Sequence, residues 1–545
     1  MNGKDKNIKI VLLLAVVVHA ALVVAGVYWR FVDGDEGGML VTAREVINGR
    51  VPILDINAHN QPLLYYFYGA WMKAFGFSIV SGRFLSAIAM FSTGLLFIWA
   101  AKRFTEDWTA TLLLYLLYIT NLTFFKTNLP VKPFALSNLF NFAAFAALAG
   151  AYIRDRRFGY GVLIISGVCL GVSMGMRLIF ILPFVFACWL VYVMLRERSP
   201  IKEIVKNLSV FTVATTVPIL PAIWLFLKEP ERAYAIWAGI YAQIYLGRGN
   251  NPDFLVDVNG AAKYAMIRKG LYEIVTVPDN SFLIIVLLAS LVVFFYTRKT
   301  RMIDAVRGRV YLFSALIFLA VIWVYANLYG NYLGYVNQLV LFAIFLCAPL
   351  AMTVSRRLGL KKLVIAGGAV SVAAILLFYW HYQQKLRTSI FYMFGSKDVI
   401  ITPAYVTKES EDIVKRFTKE GDVVLDNWGM FVFESGRRPV RGFEYPTDSA
   451  LFWQLMTDKT KAGKYLFTPE PLLFGMIERK EIPLIILGDG TELEKLLGLG
   501  YSPYPLRDVT ERYYDLYKKQ FVKPTNAWVL FYLPKKNAAG VRKER

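Results

Sequence analysis

Long apolar runs recur along this chain of 545 residues, and they constrain its fold more than any other feature. A helix that crosses a bilayer needs about 20 predominantly apolar residues. Eleven segments approach that requirement, namely 8–29, 82–101, 108–125, 133–153, 159–176, 179–195, 207–227, 281–297, 310–328, 333–353 and 362–381. Since 57% of all residues are hydrophobic, the pattern predicts a polytopic α-helical membrane protein with eleven or so spans.

The distribution of lysine and arginine predicts the orientation, because cytoplasmic loops carry an excess of both. They concentrate in alternate connections, at 4–9, 102–103, 154–157, 196–206, 298–309 and 356–362. The short turns on the other side hold only Lys126, Lys132 and Arg177. We therefore expect the amino terminus inside and the carboxyl terminus outside. The first apolar run exceeds the roughly 7–15 residues of a signal peptide, so we expect it to remain as a span.

The formal net charge of +22 fits this topology and contact with anionic membrane lipids better than nucleic-acid binding, since the basic residues are dispersed among helix ends. The three cysteines, Cys169, Cys188 and Cys347, lie within apolar runs without metal-ligand spacing. We expect them to be small buried side chains and not disulfides.

Residues 1–381 form the predicted transmembrane domain, with large exterior loops at 30–81 and 228–280. Residues 382–545 are too polar to stay in lipid. They alternate strand-like runs at 422–426, 482–488 and 528–533 with helical patterns at 406–419, 447–457, 491–498 and 509–519. This alternation predicts a soluble α/β domain on the exterior side.

Three acids crowd the start of the first exterior loop: Asp33, Asp35 and Glu36. Asp33 and Glu36 have the spacing of a capping box at a helix start. Capping leaves Asp35 unexplained, and neighbouring carboxylates repel unless a cation, a proton or a basic group compensates them. Asp35 is thus a candidate general base, and Asp33 with Asp35 a candidate site for a divalent cation. No other cofactor is indicated.

The remainder of this loop carries an amphipathic segment and a polar cluster. Apolar residues of 39–48 share one helical face, which is typical of a helix that lies on the membrane surface. His59, Asn60 and Gln61 follow just before the chain returns toward the membrane. His59 is either a substrate contact or a solvated side chain, and its sequence position leaves both open.

The order of residues in this loop resembles that of type C (GT-C) glycosyltransferases, above all the protein O-mannosyltransferases and the lipid A aminoarabinose transferase. The resemblance extends over roughly residues 10–200 and is only architectural beyond the later spans. It rests on Asp35-Glu36-Gly37, a helix with Ala43-Arg44 that ends at Gly49, Pro52, Gln61-Pro62-Leu63-Leu64-Tyr65, Phe75-Gly76 and Arg83.

The resemblance implies an integral-membrane enzyme that moves a sugar from a polyprenyl-phosphate carrier to an acceptor outside the cytoplasmic membrane. Asp35 falls on the essential acid of that family and would accept the proton of the acceptor hydroxyl. Glu36 would orient the acceptor or a cation. The acceptor, whether protein, lipid or polysaccharide, stays open.

The departing lipid phosphate requires cationic partners. Candidates are Lys126, Lys132, Arg177 and Arg83, of which Arg177 adjoins two apolar runs. Further substrate-binding candidates are Asp33, Arg44, His59, Asn60, Gln61 and Tyr332.

Two departures from the family bear on these roles. Asn60 stands where many relatives have a lysine, and Gln61 replaces the first proline of a pair. Lys132 stands where the lipid A transferases have an aspartate, so their acceptor chemistry is not implied.

Other classes of protein share some of these features. A transporter or lipid flippase also has many spans, but it would show repeated halves or polar groups near the bilayer midplane. Here the polar groups cluster at one face. A metal-dependent oligosaccharyltransferase would fit Asp33 and Asp35, yet the Trp-Trp-Asp signature of such enzymes is missing from the sequence. A structural or sensory protein would fit only if the acids are helix caps.

Overall fold

A computed structural model describes residues 3–30, 32, 34–177, 179, 181–234, 236–237, 278–299, 303–328, 333–357, 403–426, 429–444, 466, 470–487, 501–503 and 530–534. The first six helices are α1 Gly3–Trp29, α2 Gly34–Ile47, α3 Pro62–Phe75, α4 Ile79–Thr105, α5 Trp108–Thr120 and α6 Leu122–Asn128. The next are α7 Pro133–Asp155, α8 Tyr160–Met176, α9 Ile181–Arg196, α10 Ile201–Thr216, α11 Leu220–Lys228 and α12 Pro230–Tyr234. Then follow α13 Pro278–Lys299, α14 Ala305–Leu328, α15 Leu333–Leu346 and α16 Ala348–Arg357.

Ten of the eleven predicted spans fall on these helices, and the eleventh, 362–381, lies outside the described residues. Within the described part, six helices are long and apolar enough to cross a membrane, or seven if the bent pair 338–346 and 348–357 is one span. Three shorter apolar helices, α5, α8 and α9, coincide with further predicted spans. The integral-membrane character is therefore confirmed, whereas the count of eleven stays a prediction.

Helices α4 and α7 lie at the centre of the helical bundle. The apolar window of α7 is 78% buried and that of α4 is 50% buried, against 22% for the helix over 201–228. That peripheral helix exposes large apolar side chains, including Val205, Val213 and Leu227, which lipid tails would cover. Polar side chains on α4 and at the start of α7 are thus held by the best-packed part of the bundle. Cys169, Cys188 and Cys347 carry free thiols, but the expectation that all three are buried is wrong, because Cys169 is half-buried and Cys188 is exposed on the helical bundle.

The carboxyl-terminal part contains a mixed sheet. It includes α17 Pro403–Glu409, a π-helical turn Ser410–Lys415, β1 Val423–Asp426, α18 Met430–Glu434, β2 Arg438–Pro439, α19 Glu470–Glu478, β3 Ile485–Leu487, β4 Tyr501–Pro503 and β5 Leu530–Pro534. The strand order is β2-β1-β3-β5-β4, with β1 parallel to both neighbours and β5 antiparallel to both of its own.

Strands β1, β3 and β5 fall on the three predicted strand runs, and α17 begins close to the predicted helix at 406–419. The predicted helices at 447–457, 491–498 and 509–519 lie outside the described residues. The division at 382 and the exterior location of this part stay predictions.

The carboxyl-terminal elements share an apolar core with the first exterior loop. Tyr405, Ile413 and Phe431 belong to the same buried cluster as Met39 and Leu40 of α2. As a result every residue from 36 to 44 is buried, and the prediction of a membrane-surface helix over 39–48 is wrong. The apolar stripe of α2 packs against α3, and α18 covers another side of α2. Protein therefore surrounds α2.

Candidate functional site

Glu36 and Arg83 form a buried bidentate ion pair between α2 and α4. Nε and Nη2 of Arg83 each donate to a Glu36 oxygen at 2.7 Å, and both side chains are 0% exposed. Nη1 of Arg83 donates to the main-chain oxygens of Val27 and Arg30 at 3.2 and 2.7 Å. The pair therefore joins the end of α1 and the start of α2 to α4.

Burial alone raises the pKa of Glu36, because it penalises the carboxylate. The charge and hydrogen bonds of Arg83 oppose that effect, with smaller contributions from the charge of Arg30 and the N–H of Val131. The balance holds the pKa of Glu36 below its ordinary value. Glu36 is thus an ionised carboxylate at neutral pH, and the buried guanidinium of Arg83 balances its charge.

Asp35, the preceding residue, has a different environment. Its Oδ2 accepts a hydrogen bond from Nζ of Lys132 at 2.9 Å. The Asp35 side chain is 35% exposed, whereas that of Lys132 is 6% exposed. Of the two described acids at the start of α2, Asp35 is therefore the one that a ligand can reach, and the structure places Lys132, 97 positions away, directly against it.

The turn that carries Lys132 is anchored by three helices. The main-chain N–H of Val131 donates to Glu36 Oε1 at 3.0 Å, and the hydroxyl of Ser86 on α4 donates to the oxygen of Pro130 at 3.1 Å. The hydroxyl of Tyr68 on α3 lies 2.6 Å from that of Ser86 and 3.3 Å from the oxygen of Lys132, so its single proton is shared between these two oxygens. No sequence pattern singled out Tyr68 or Ser86 for this role, although Ser86, three residues after Arg83, had to share its helical face.

Arg44, a predicted substrate contact, instead braces the carboxyl-terminal part. Its guanidinium donates to the main-chain oxygens of Arg437 at 2.8 Å, Phe433 at 3.4 Å and Val432 at 3.5 Å. It also lies 5.6 Å from the centre of the Phe433 ring. These contacts occupy a buried side chain two turns beyond Asp35, so they favour a structural role.

His59, Asn60 and Gln61 lie where the loop enters α3. Asn60 Nδ2 donates to His59 Nε2 at 2.8 Å and contacts the sulfur of Met39 at 3.3 Å. Gln61 occupies the N-cap position of α3 and is buried. Because Met39 follows Asp35 by one helical turn, Asn60 contacts the same helix as the acid, and His59 lies against Asn60.

Of the other two predicted cations, Arg177 lies close to the Lys132 turn, whereas only a main-chain contact describes Lys126. Arg177, at the carboxyl end of α8, stacks over the ring of Phe134 at 4.5 Å, two residues from Lys132. The main-chain oxygen of Lys126 accepts from Arg30 Nε at 2.8 Å. Asp33, Tyr332 and residues 238–277 of the second exterior loop lie outside the described residues.

Of the two acids predicted to hold a divalent cation, the structure describes Asp35 but not Asp33. Within the described ranges, no group of three or more histidine, cysteine, aspartate and glutamate side chains is arranged to hold a metal ion. The assignment of Asp33 and Asp35 as a cation pair stays a prediction.

The carboxyl-terminal part reaches the start of α2 and of α4. The side chain of Glu434 accepts from the first N–H of α4, that of Ile79, at 3.0 Å and from the Thr407 hydroxyl at 2.8 Å. Gly429, with φ of +70°, lies against α2 so closely that an added Cβ would be 3.1 Å from the carbonyl carbon of Gly37. Gly37 is two residues from Asp35.

Replacing Gly429 by alanine should destabilise the fold more than the same change at Gly436. Both have φ near +70°, so each alanine carries the left-handed penalty of about 1–2 kcal/mol. Only the Gly429 variant would also press a Cβ against the backbone of α2, because nothing lies within 4 Å of a Cβ at Gly436. Thermal unfolding in one detergent compares them, and equal losses would contradict the contact.

The fold of this chain is similar to that of a protein of known structure. No protein-family model matches the chain, and no curated protein matches it in sequence. A crystal structure of ArnT from Cupriavidus metallidurans bound to undecaprenyl phosphate aligns with a TM-score of 0.59 at 13% identity, covering 96% of this chain and 97% of that one. The apo structure of the same protein aligns with a TM-score of 0.55 at 12% identity, covering 95% and 97%. The chain is thus an integral membrane protein with the fold of ArnT, the GT-C fold that its first-loop resemblance predicts.

Proposed function

We propose that this protein is an integral-membrane glycosyltransferase that moves a sugar from a polyprenyl-phosphate carrier to an acceptor hydroxyl on the exterior face of the membrane. The observation that carries the proposal is the environment of Asp35, a part-exposed carboxylate at the start of α2 with a lysine ammonium 2.9 Å away. A base and a cation side by side suit a reaction that removes a proton and releases a phosphate.

In the proposed reaction the acceptor oxygen attacks the anomeric carbon of the donor sugar. The bond between that carbon and the phosphate oxygen breaks, and its electron pair leaves with the lipid phosphate. The hydroxyl proton passes to a carboxylate oxygen of Asp35. Lys132 meets the negative charge that develops on the phosphate, and Arg177 lies near enough to the same turn to assist it.

Glu36 has a positioning role in this proposal and does not contact the acceptor. It is 0% exposed and its charge is matched by Arg83, so opening the pair would leave a buried charge unpaired. Through Val131 it fixes the turn of Lys132, and through Arg83 it fixes the beginning of α2. Arg83 likewise has a positioning role in this proposal, because its guanidinium binds Glu36 and not the phosphate.

The donor class is supported by the fold neighbour, which was crystallised with undecaprenyl phosphate. Placing the site on the exterior face rests on the distribution of lysine and arginine along the chain. A divalent cation held by Asp33 and Asp35 would supply a further counter-charge for phosphate. The same arrangement accommodates a protein, lipid or polysaccharide acceptor.

The test is sugar release by the purified full-length protein from a panel of polyprenyl-phosphate monosaccharides, with and without EDTA. Release from one member would identify the donor, and its loss with EDTA would support the cation. Addition of candidate acceptors would then distinguish transfer from hydrolysis. No release from any donor, in protein that remains folded, would overturn the proposal in favour of a transporter or a diphosphate-linked donor.

A further inference from the structure

Three helices hold the backbone of the turn Pro130–Lys132 through hydrogen bonds. Glu36, Ser86 and Tyr68 take up, in order, the N–H of Val131, the oxygen of Pro130 and the oxygen of Lys132. These partners come from α2, α4 and α3, so the turn cannot shift without breaking several buried hydrogen bonds. Lysine has a flexible stem and three rotatable donors, so its ammonium can change partners while its Cα stays in place.

The present partner of that ammonium is the carboxylate proposed to act as base. Lys132 is almost fully buried, and a buried ammonium is costly without an anion beside it. The same contact occupies Oδ2 of Asp35, so an acceptor hydroxyl cannot bind that oxygen while the ammonium is there. The contact seen in the structure therefore neutralises Lys132 but blocks one oxygen of the proposed base.

We propose, on the basis of the function proposed above, that Lys132 exchanges partners during the reaction. Without donor its ammonium pairs with Asp35, and with donor bound it pairs with the phosphate, which leaves the Asp35 carboxylate open to the acceptor hydroxyl. The exchange breaks one ion pair and forms another with no covalent change. Donor binding must then precede productive acceptor binding.

The reaction itself drives the exchange to completion. When the acceptor proton reaches Asp35, that side chain loses its negative charge and its attraction for Lys132. In the same step the phosphate gains the electron pair of the broken bond and becomes more negative. Lys132 is therefore drawn to the phosphate as the sugar leaves, and returns to Asp35 after the proton and the lipid phosphate have departed.

The exchange can be tested by binding alone. Affinity for undecaprenyl phosphate is measured with the full chain in nanodiscs for the wild type, Asp35→Asn, Lys132→Met and the double variant. Asp35→Asn should bind about fivefold more tightly, since the ammonium no longer leaves a part-exposed ion pair. Lys132→Met should bind undecaprenyl phosphate about tenfold more weakly, because it has lost a charged contact to the phosphate. In the Lys132→Met background, Asp35→Asn should give no gain.

Each other result overturns the exchange. A gain from Asp35→Asn that persists without Lys132 would mean that the carboxylate only repels phosphate through space. An unchanged affinity in Asp35→Asn, together with sugar transfer by the wild type, would refute the exchange while leaving the proposed function intact. Absence of binding by the folded wild type would overturn both. If Lys132→Met does not fold, Lys132→Gln, which removes the charge but keeps a polar end, serves instead, and Asp35→Asn should again give no gain in that background.

Discussion

Asp35→Asn should lower the rate of sugar transfer by about a hundredfold to ten-thousandfold, the range that a general base contributes. The amide keeps the size of the carboxyl group but cannot take up the acceptor proton. The fold should persist, because the Asp35 side chain is 35% exposed and Asn can still accept from Lys132. Single-turnover transfer with saturating donor measures the loss separately from any change in donor binding.

Asp55 offers a matched control in the same loop. Its carboxylate is exposed and accepts a hydrogen bond from the N–H of Val51 at 2.8 Å, a contact that an asparagine oxygen can also make. Asp55→Asn should therefore transfer sugar at the wild-type rate. If both variants transfer sugar at the wild-type rate, Asp35 is not the base. If both lose activity to the same extent, the substitutions act through a general effect on the loop.

Arg83→Met should cause the largest loss of stability among single substitutions at the site. It would leave the Glu36 carboxyl fully buried without its partner, either as an unpaired charge or after taking up a proton, which costs about 3–5 kcal/mol in comparable pairs. The main-chain oxygens of Val27 and Arg30 would lose a donor as well. The apparent unfolding temperature, measured in one detergent for wild type and variant, reports the change.

Two controls make this result specific to the buried pair. Arg154 pairs with Asp155 at a surface where both are largely exposed and screened by water, so Arg154→Met should leave the unfolding temperature nearly unchanged. The double variant Glu36→Met with Arg83→Met removes both charges and should regain part of the lost stability. If Arg83→Met unfolds at the same temperature as Arg154→Met, the pair does not hold the site.

The structure separates two acids that the sequence presents as neighbours of equal rank. Asp35 and Glu36 are adjacent, and the family resemblance assigned chemistry to both. A helix turns by about 100° per residue, so the two side chains diverge: Glu36 points toward Arg83 in the core, whereas Asp35 contacts Lys132 and stays partly exposed. Which of them faced the interior depended on α4 and on the turn before α7.

Other roles changed for the same reason. Arg44 was a reasonable substrate contact as long as α2 was expected to lie on the membrane, but α18 covers it and uses the guanidinium as a brace. Tyr68 and Ser86 had no signature of function, because a hydroxyl on an apolar helix is common. Their importance arises only from the main-chain oxygens of a distant turn.

The sequence by itself determined the membrane helices and the position of the crowded acids at the start of α2. Both are local properties, since each span must satisfy its backbone within one segment and a helix start is read from adjacent residues. Only the tertiary structure decided that Lys132 contacts Asp35, that Glu36 is enclosed with Arg83, and that the carboxyl-terminal part packs on the first loop. Those contacts join residues 47 to about 400 positions apart, and their formation depends on how whole helices pack, which periodicity and spacing do not encode.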